Sequence, residues 1–330
     1  MMSRSPTVSV IIPVRNEGAH IDRCLQAVIG QTYPGLIEIL VVDGGSDDDT
    51  SSIVNHWAAI DSRIRLLANP QRSTAHGLNL GIEASTGDMI AYVLGHAVIP
   101  RDYVLRMASV LENPSAWCAG GRYMRVGETK LQQAIAVATS SPIGVGDSRH
   151  NYATDAGWAE TAFPGFWRRE VFDQVGRFDP DMLVNEDNEL SYRIRRAGGA
   201  IWYEPSVAVE YVPRSSLSEL FRQYHNYARG KVRVLRKHRS GLRWRHFVPA
   251  AWIAWLLAGG GIAMAMPVAR PAWVAGVGLY AVTVLGASLR LRRAGVPWWL
   301  VAQALVTLHA AYGTGLWRGL FEWAFRLLSR

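Results

Sequence analysis

Two short runs of β-branched and aliphatic residues near the N-terminus constrain the fold more than any other feature of this chain. Residues 8–12 (VSVII) are followed by Pro13, and residues 37–42 (IEILVV) are followed by Asp43-Gly44-Gly45. Between the runs, apolar residues recur at helical spacing, which predicts a strand, helix, strand unit. The near-continuous apolar character predicts parallel strands covered on both faces.

The loops that follow these two strands are predicted to form a ligand site. Parallel strands joined by a right-handed crossover bring their C-terminal ends, and hence residues 13–17 and 43–49, to one edge of the sheet. The chain lacks a G-x-G-x-x-G segment after the first strand, and acids dominate the second loop. Carboxylates at this edge suit hydrogen bonds to a ribose or a base, so we expect a nucleotide half-site.

Four motifs in order make a family resemblance specific: VSVIIPVRNE, VVDGGSDDDT, GLNLGIEASTGDMIAYV and GRFDPDMLVNEDNELSYRIRRAG. Together, over roughly residues 6–235, they resemble a family 2 glycosyltransferase with the GT-A fold, an α/β fold with a mostly parallel sheet and helices on both faces. Within the family the chain is most similar to the membrane-attached, succinoglycan-type (ExoA-like) group. That resemblance implies an inverting transfer from a nucleotide-sugar donor, taken as UDP-linked, to a polyprenyl-linked saccharide during polysaccharide assembly.

The resemblance also assigns a donor site. The residues that it places around the nucleotide and sugar are Pro13, Arg15, Glu17, Asp43, Gly44 and Asp88, the last of these supporting the base. Acids near the start of a helix are favoured by the helix dipole whatever their function. Glu17 and the acids at 47–49 therefore have a second interpretation as helix N-terminal residues.

The chain departs from its family after the strand at residues 89–93. The family has an Asp-x-Asp or Asp-x-His triplet that faces a divalent cation and the diphosphate, and here the triplet is Leu94-Gly95-His96. Leucine cannot ligate Mg²⁺ or Mn²⁺. His96 keeps the third position, where it either contributes to a metal site or lines the pocket. The resemblance implies a divalent cation as cofactor, Mg²⁺ or Mn²⁺, whereas Leu94 argues against it. Asp179-Pro180-Asp181 has the D-x-D pattern, but the proline predicts a turn.

The catalytic residues implied by the resemblance are Asp187, as general base, and its neighbour Glu186. An inverting transfer needs one carboxylate to take the proton of the attacking hydroxyl. On the acceptor side the resemblance points to Glu160 and Trp167. Trp158, Phe166 and Trp167 could each stack on a sugar, although an ordinary core position is the usual one for an aromatic residue.

The C-terminal third predicts a membrane region. Three apolar stretches, residues 247–269, 272–289 and 296–317, approach the length of a spanning helix, and a short amphipathic tail follows. Arginines and lysines before the first stretch and between the second and third predict that both places are cytoplasmic. The net charge of +8 is therefore attributed to membrane lipids, since no nucleic-acid-binding module is visible. We expect a multi-pass protein of the bacterial inner membrane with a cytoplasmic catalytic domain.

Residues 217–237 alternate apolar and basic side chains and predict an amphipathic helix on the membrane surface. Gln223, Arg229 and Lys231 lie where related enzymes have a Gln/Arg element near the diphosphate, and as cations the last two could replace a weak metal site. The predicted organisation is a GT-A domain over 1–215, an interfacial helix over 216–245 and a membrane region over 246–330. The second functional interpretation is a non-catalytic subunit of a polysaccharide assembly complex, suggested by Leu94.

Overall fold

A computed structural model describes residues 5–146, 148–161, 163–240 and 243–328 of the chain. The chain divides into two compact units, each built from two segments. The first unit contains Met1–Met124 and Tyr152–Tyr211, and the second contains Arg125–Asn151 and Val212–Arg330. The expected linear boundary near residue 215 therefore misses the segment 125–151, which belongs with the C-terminal helices.

The described part of the chain forms one sheet of nine strands. The strands are β1 (Val8–Val14), β2 (Leu36–Asp43), β3 (Ile64–Ala68), β4 (Met89–Tyr92), β5 (Ala97–Val98), β6 (Ala116–Arg125), β7 (Gly157–Ala159), β8 (Phe166–Arg168) and β9 (Ala200–Tyr211). The helices of the first unit are α1 (Ile21–Ile29), α2 (Thr50–Ile60), α3 (Thr74–Ala84), α4 (Tyr103–Val110), α7 (Glu170–Val175) and α8 (Glu186–Arg196).

Strand order shows where a ligand site can form. The order is β3-β2-β1-β4-β8-β6-β9-β5, and β7 pairs with β9. The first four strands are mutually parallel, whereas β8 is antiparallel to β4 and to β6. The chain winds outward from β1 to β3 on one side and places β4 on the other side of β1. The loops after β1 and β4 consequently diverge at a topological switch point, the usual ligand crevice of open α/β sheets.

Both faces of the parallel strands are covered, as the apolar runs predict. In β1 the side chains of Val8, Val10, Ile12 and Val14 join one buried cluster with α1, α2 and α4. Ile11 points to the opposite face and joins a second cluster with α3, α7 and α8. The two-residue alternation of a strand therefore splits one short segment between two cores.

The second unit is helical. Its helices are α5 (Lys130–Thr139), α6 (Pro142–Val145), α9 (Leu217–His238), α10 (Val248–Ala254), α11 (Gly260–Ala265), α12 (Arg270–Leu291) and α13 (Trp298–Leu328), with a π-helical turn at Trp255–Gly259. The apolar residues of α5, such as Ile135 and Ala138, pack in one cluster with Leu305 and Leu308 of α13. This packing explains why 125–151 groups with residues far along the chain.

Two stretches have the length and composition to cross a membrane, Trp244–Ala265 and Pro267–Leu291, and little of either is buried. The third expected span, residues 296–317, is not among them. It forms the first two-thirds of α13, where Val301, Leu305 and Leu308 are fully buried against α5, α9 and α12. The expected tail is the continuation of the same helix to Leu328, and residues 329–330 lie outside the described residues.

Candidate active site

The loops after β1 and β2 are joined by hydrogen bonds into one structure at the C-terminal edge of the sheet. The Asn16 backbone N–H donates to Ser46 Oγ at 2.9 Å, and the Glu17 N–H donates to Thr50 Oγ1 at 2.8 Å. Gly18 N–H donates to Asp48 Oδ2 at 2.9 Å. Asn16 adopts a left-handed conformation with φ of 56°, which Asn tolerates better than most residues. The two predicted half-site loops thus hold each other in place.

Asp48 joins these two loops and also caps the start of α2. Its Oδ1 also accepts hydrogen bonds from the N–H and hydroxyl of Thr50. The bonds from the Thr50 hydroxyl and the Gly18 backbone lower the pKa of Asp48. Asp49 occupies the cap position, but its side chain makes no cap hydrogen bond.

Asp43 ends β2 with its carboxylate already oriented. Oδ1 accepts from Ser46 N–H and Ser46 Oγ at 3.0 and 2.6 Å, and Oδ2 accepts from Ser51 Oγ at 2.7 Å. A carboxylate has about four lone-pair positions, so these bonds leave capacity for a ligand hydroxyl or base N–H. Gly44 follows, and its N–H donates to Val14 O at 2.8 Å.

A third loop, after β3, belongs to the same edge and was missed by sequence reasoning. A Cβ added at Gly45 would lie 3.4 Å from Arg72 Nε, so this exposed guanidinium is beside the Asp43 loop. Asn69 N–H donates to Asp43 O at 2.8 Å, and the buried Asn69 Oδ1 has no hydrogen-bond partner among the described residues. The available signal was parallel pairing, because β3 ends level with Asp43.

Glu17 and His96 meet at the switch point between β1 and β4. Their Oε1 and Nδ1 atoms lie 2.7 Å apart, and both side chains are about one-fifth exposed. Gly95 permits this approach, since a Cβ there would lie 3.1 Å from Glu17 Cγ and 2.8 Å from Val14 Cγ1. The structure therefore brings together two residues that sequence reasoning placed in separate roles.

The Glu17 and His96 pair does not by itself constitute a metal site. Across the residues that the structure describes, no group of three or more His, Cys, Asp or Glu side chains is arranged to hold a metal ion. One carboxylate and one imidazole are too few for Mg²⁺ or Mn²⁺, which take about six ligands, mainly oxygens. The side chains at this position do not fit a protein-only cation site.

Asp88 has a structural role at the opposite edge of the sheet, so its expected contact with the base is a wrong prediction. Its Oδ2 accepts hydrogen bonds from the N–H and hydroxyl of Thr7, both at 2.8 Å. Thr7 precedes β1 and Asp88 precedes β4, and nucleotide loops follow the C-terminal ends of these parallel strands. Asp88 therefore joins two strand starts.

The predicted catalytic carboxyls open helix α8. Asn185 precedes them in a left-handed conformation with φ of 61°, and its side chain makes no cap hydrogen bond. Glu186 is buried, and burial together with the neighbouring Asp187 raises its pKa to about 8. Asp187 Oδ1 accepts a hydrogen bond from Asn188 Nδ2 at 3.1 Å. Glu186 therefore keeps its proton near neutral pH, which suits it to a role other than general base.

An ion pair anchors the helix that carries these carboxyls. Glu189 is fully buried, and Arg193 donates from Nε and Nη2 to its Oε2 at 2.9 and 2.8 Å. The same guanidinium donates to the carbonyl of Val175, the last residue of α7, and to those of Gly176 and Arg177, which follow it. The first turn of α8 is consequently fixed to the preceding loop, which restricts the freedom of Asp187.

Comparisons with known proteins decide the family. The model of Glycosyl transferase family 2 matches residues 9–175. This chain belongs to glycosyltransferase family 2. It is 32% identical to the succinoglycan biosynthesis protein ExoA of Rhizobium meliloti over 96% of both chains. It is 25% identical to the dolichyl N-acetyl-alpha-D-glucosaminyl phosphate 3-beta-D-2,3-diacetamido-2,3-dideoxy-beta-D-glucuronosyltransferase of Methanococcus voltae, over 72% of this chain and 76% of that one.

A solved structure agrees with the fold of this glycosyltransferase. The mannosyltransferase PcManGT from Pyrobaculum calidifontis, solved with GDP-Man and Mn²⁺, superposes with a TM-score of 0.63 at 23% identity. The match covers 96% of this chain and 88% of that one. With the mixed sheet, in which four neighbouring strands are parallel, it confirms the expected GT-A fold.

The acceptor-side predictions for the glycosyltransferase need one correction. Trp167 is 2% exposed and packs in a core with Phe172 and Phe178, with ring centroids 5.8 and 5.6 Å away. It cannot stack on a sugar without unfolding that core. Phe166 is likewise buried, whereas Trp158 is 51% exposed and meets Trp202 edge to face. Glu160 is exposed just after β7 and stays a predicted acceptor-side residue.

The three α9 residues predicted to act near the diphosphate lie in the second unit. Gln223 Nε2 donates to Tyr227 Oη at 3.1 Å along the helix. Arg229 Nε donates to Glu322 Oε2 of α13 at 2.8 Å, so this cation is already paired. The role of Gln223, Arg229 and Lys231 at the diphosphate remains a prediction for this glycosyltransferase.

Proposed function

We propose that this glycosyltransferase moves a sugar with inversion from a nucleotide-sugar donor, taken as UDP-linked, to a polyprenyl-linked saccharide. The observation that carries the proposal is the pair of unlike carboxyls at the start of α8, in the same unit as the oriented loops after β1, β2 and β4. One ionised carboxylate with a nucleotide site is what a single-displacement transfer requires.

Asp187 is the proposed general base. It accepts the proton of the acceptor hydroxyl while that oxygen forms a bond to the anomeric carbon. The bond from the anomeric carbon to the nucleoside diphosphate breaks on the opposite face, and the leaving diphosphate takes the electron pair. Glu186 holds its proton at neutral pH because its pKa is raised to about 8, by burial first and Asp187 second. The second carboxyl therefore adds no negative charge near the base.

The donor is held by the loops that follow β1, β2, β3 and β4. Asp43 offers its remaining lone pair to a ribose hydroxyl or a base N–H, and the exposed Arg15 and Arg72 supply positive charge near phosphate oxygens. With Nδ1 of His96 engaged by Glu17, the atom that can reach the diphosphate is Nε2.

The relatives support the acceptor and the setting. Succinoglycan biosynthesis in one relative supports a role in polysaccharide assembly, and the dolichyl phosphate in the name of another supports a lipid-linked acceptor. Two apolar helices with basic residues before Trp244 and after Leu291 support membrane attachment with both flanks cytoplasmic. We therefore place transfer at the cytoplasmic face of the bacterial inner membrane.

The test is sugar transfer by membranes that contain the full chain, using labelled nucleotide sugars and lipid extract as acceptor. Asp187→Asn is expected to lower turnover by about 10²- to 10⁴-fold, the usual contribution of a general base. Asp181→Asn is the matched control, because Asp181 is an exposed acid in the same loop region and should leave turnover unchanged. Equal activity of the wild type and Asp187→Asn would exclude Asp187 as the base.

Leu94 favours one alternative, a glycosyltransferase-like subunit without activity of its own in a polysaccharide assembly complex. The same assay with Leu94→Asp, with and without a chelator, separates the two proposals. Transfer by the wild type supports the enzyme. Absence of transfer with every donor, together with a gain in Leu94→Asp that the chelator abolishes, would support the inactive subunit.

A further inference from the structure

A groove with a volume of about 840 Å³ lies within the helical second unit. One wall is the segment from α10 through the π-helical turn, including Leu257 and Ala258, and the other is the last third of α13, including Phe321 and Phe325. The volume is within the range of small-molecule sites, which is about 300–1,000 Å³. π-Helical turns are rare, and those that occur are often found at functional sites. Here one forms part of a groove wall.

The walls of the groove are apolar and largely uncovered. Leu257 is 73% exposed and Phe325 is 70% exposed, although both are large hydrophobic side chains. Covering such area with hydrocarbon instead of water is favourable by roughly 25 cal/mol per Å². One wall belongs to a candidate membrane helix, Trp244–Ala265. A hydrocarbon chain is the ligand that this surface suits.

The groove also contains charge, which a site for hydrocarbon alone would not need. Arg318 and Glu322 line it together. The Glu322 carboxylate accepts from Arg229 Nε at 2.8 Å and from Arg318 Nε at 3.2 Å, so two guanidinium groups share one carboxylate. This cluster has a formal charge of +1. The Arg318 side chain is more than half exposed, and a guanidinium has five N–H donors that match phosphate oxygens.

We propose that this groove binds the lipid carrier of the acceptor, with the isoprenoid chain between Leu257 and Phe325 and the phosphate beside Arg318. The choice of an isoprenoid phosphate over a membrane phospholipid rests on the proposed function, in which the acceptor is polyprenyl-linked. The binding mode rests on the groove alone. The α10 to α13 groove is thus a lipid site for the acceptor, whereas the loops of the first unit bind the nucleotide donor.

The test uses photolabelling of the purified full chain in detergent with a diazirine-bearing polyprenyl phosphate, without donor. Labelled peptides are expected from residues 253–258 or 314–325. Ala258→Trp and Ala254→Trp fill the groove and should reduce labelling about tenfold, equivalent to one decade in affinity. Ala251→Trp is the matched control, since Ala251 is exposed on the same helix and does not line the groove. Melting curves verify that each variant is folded.

Competition identifies the ligand. Unlabelled polyprenyl phosphate should displace the probe, whereas equal concentrations of phosphatidylglycerol or inorganic phosphate should not. Arg318→Gln, which leaves the apolar walls intact, should weaken competition by polyprenyl phosphate about tenfold but not competition by the uncharged polyprenol. Equal competition by phosphatidylglycerol, or unchanged labelling of both filled variants, would overturn the proposal.

The labelling assay and the sugar-transfer assay test the two proposals independently. Specific labelling without transfer by any donor overturns the proposed function and leaves the lipid site standing. Transfer with unspecific labelling overturns only the lipid site.

Discussion

Glu17 and His96 come from loops 79 residues apart in sequence, yet Glu17 Oε1 lies 2.7 Å from His96 Nδ1 at the edge where β1 and β4 diverge. The bond fixes which ring nitrogen of His96 is available to a ligand. It also gives Glu17 a role other than that of a helix N-terminal acid. The Leu94-Gly95-His96 segment thus contributes its imidazole to a pair with a carboxylate from another loop.

Disrupting this pair is expected to weaken nucleotide binding. Glu17→Gln and His96→Gln should each raise the dissociation constant of UDP or GDP about tenfold to a hundredfold, because a hydrogen bond to a charged group contributes about 1.5–3 kcal/mol. Isothermal titration calorimetry measures the affinity. The double variant should lose little more than either single one, since the partners act together. Strict additivity, or an equal loss in the exposed control Glu112→Gln, would contradict the coupling.

The buried carboxyl of Glu186 predicts a pH dependence of stability. Its pKa in the folded chain is about 8, above the ordinary value of 4.5, because of burial and then Asp187. Between these values the folded state binds more protons than the unfolded state, so stability falls as pH rises through this window. Glu186→Gln removes that loss. We therefore expect the melting temperature of the variant minus that of the wild type to increase by a few °C between about pH 5 and about pH 8.5.

A control variant isolates the effect of Glu186. Glu83→Gln changes an exposed carboxyl on α3, and its melting temperature relative to wild type should stay level over the same range. A level difference for Glu186→Gln as well would mean that Glu186 is ionised in the folded chain.

Breaking the Glu189 and Arg193 pair is expected to destabilise the first unit. Arg193→Ala leaves a fully buried carboxylate without its guanidinium and removes three carbonyl contacts after α7. Losing one partner of a buried ion pair costs about 3–5 kcal/mol. Chemical denaturation should show the loss, whereas Arg196→Ala, an exposed change on the same helix, should shift stability by less than about 0.5 kcal/mol. Similar curves for both variants would refute an anchoring role.

Two tryptophans test the correction on the acceptor side. Trp167→Ala opens a cavity between Phe172 and Phe178 and should cost about 3–5 kcal/mol of stability. Trp158→Ala removes an exposed ring and should leave stability nearly unchanged. If Trp167→Ala keeps wild-type stability but raises the KM for acceptor, then Trp167 contacts the sugar.

The sequence was sufficient for the parallel half of the fold. Observed β1 and β2 extend the predicted runs by only one or two residues, and α1 is the predicted helix. The reason is that strands buried on both faces are continuously apolar, so their pattern is local. The same pattern located the loops after β1 and β2, whereas the carboxyls of α8 came from the family resemblance.

The errors arose where long-range packing decides. Asp88 lies in one of the four motifs that resemble the family, which suggested a place near the nucleotide. Only the strand pairing shows that it lies beside Thr7, where β1 and β4 begin. The expected span over residues 296–317 stays a prediction, since helix packing inside a membrane also buries apolar side chains. Arg72 carries no local signal at all, since its relevance comes from the pairing of β3 with β2.

The placement of α5 limits how this protein can be divided. The chain passes from one unit to the other at residues 124–125, 151–152 and 211–212. A truncation near residue 211 would therefore keep α5 while removing α9 and α13, and would uncover Ile135 and Ala138. Such a fragment would expose an apolar helix face to water, and we expect it to aggregate. A soluble catalytic fragment needs an internal deletion, with a short linker replacing residues 125–151, as well as a new C-terminus.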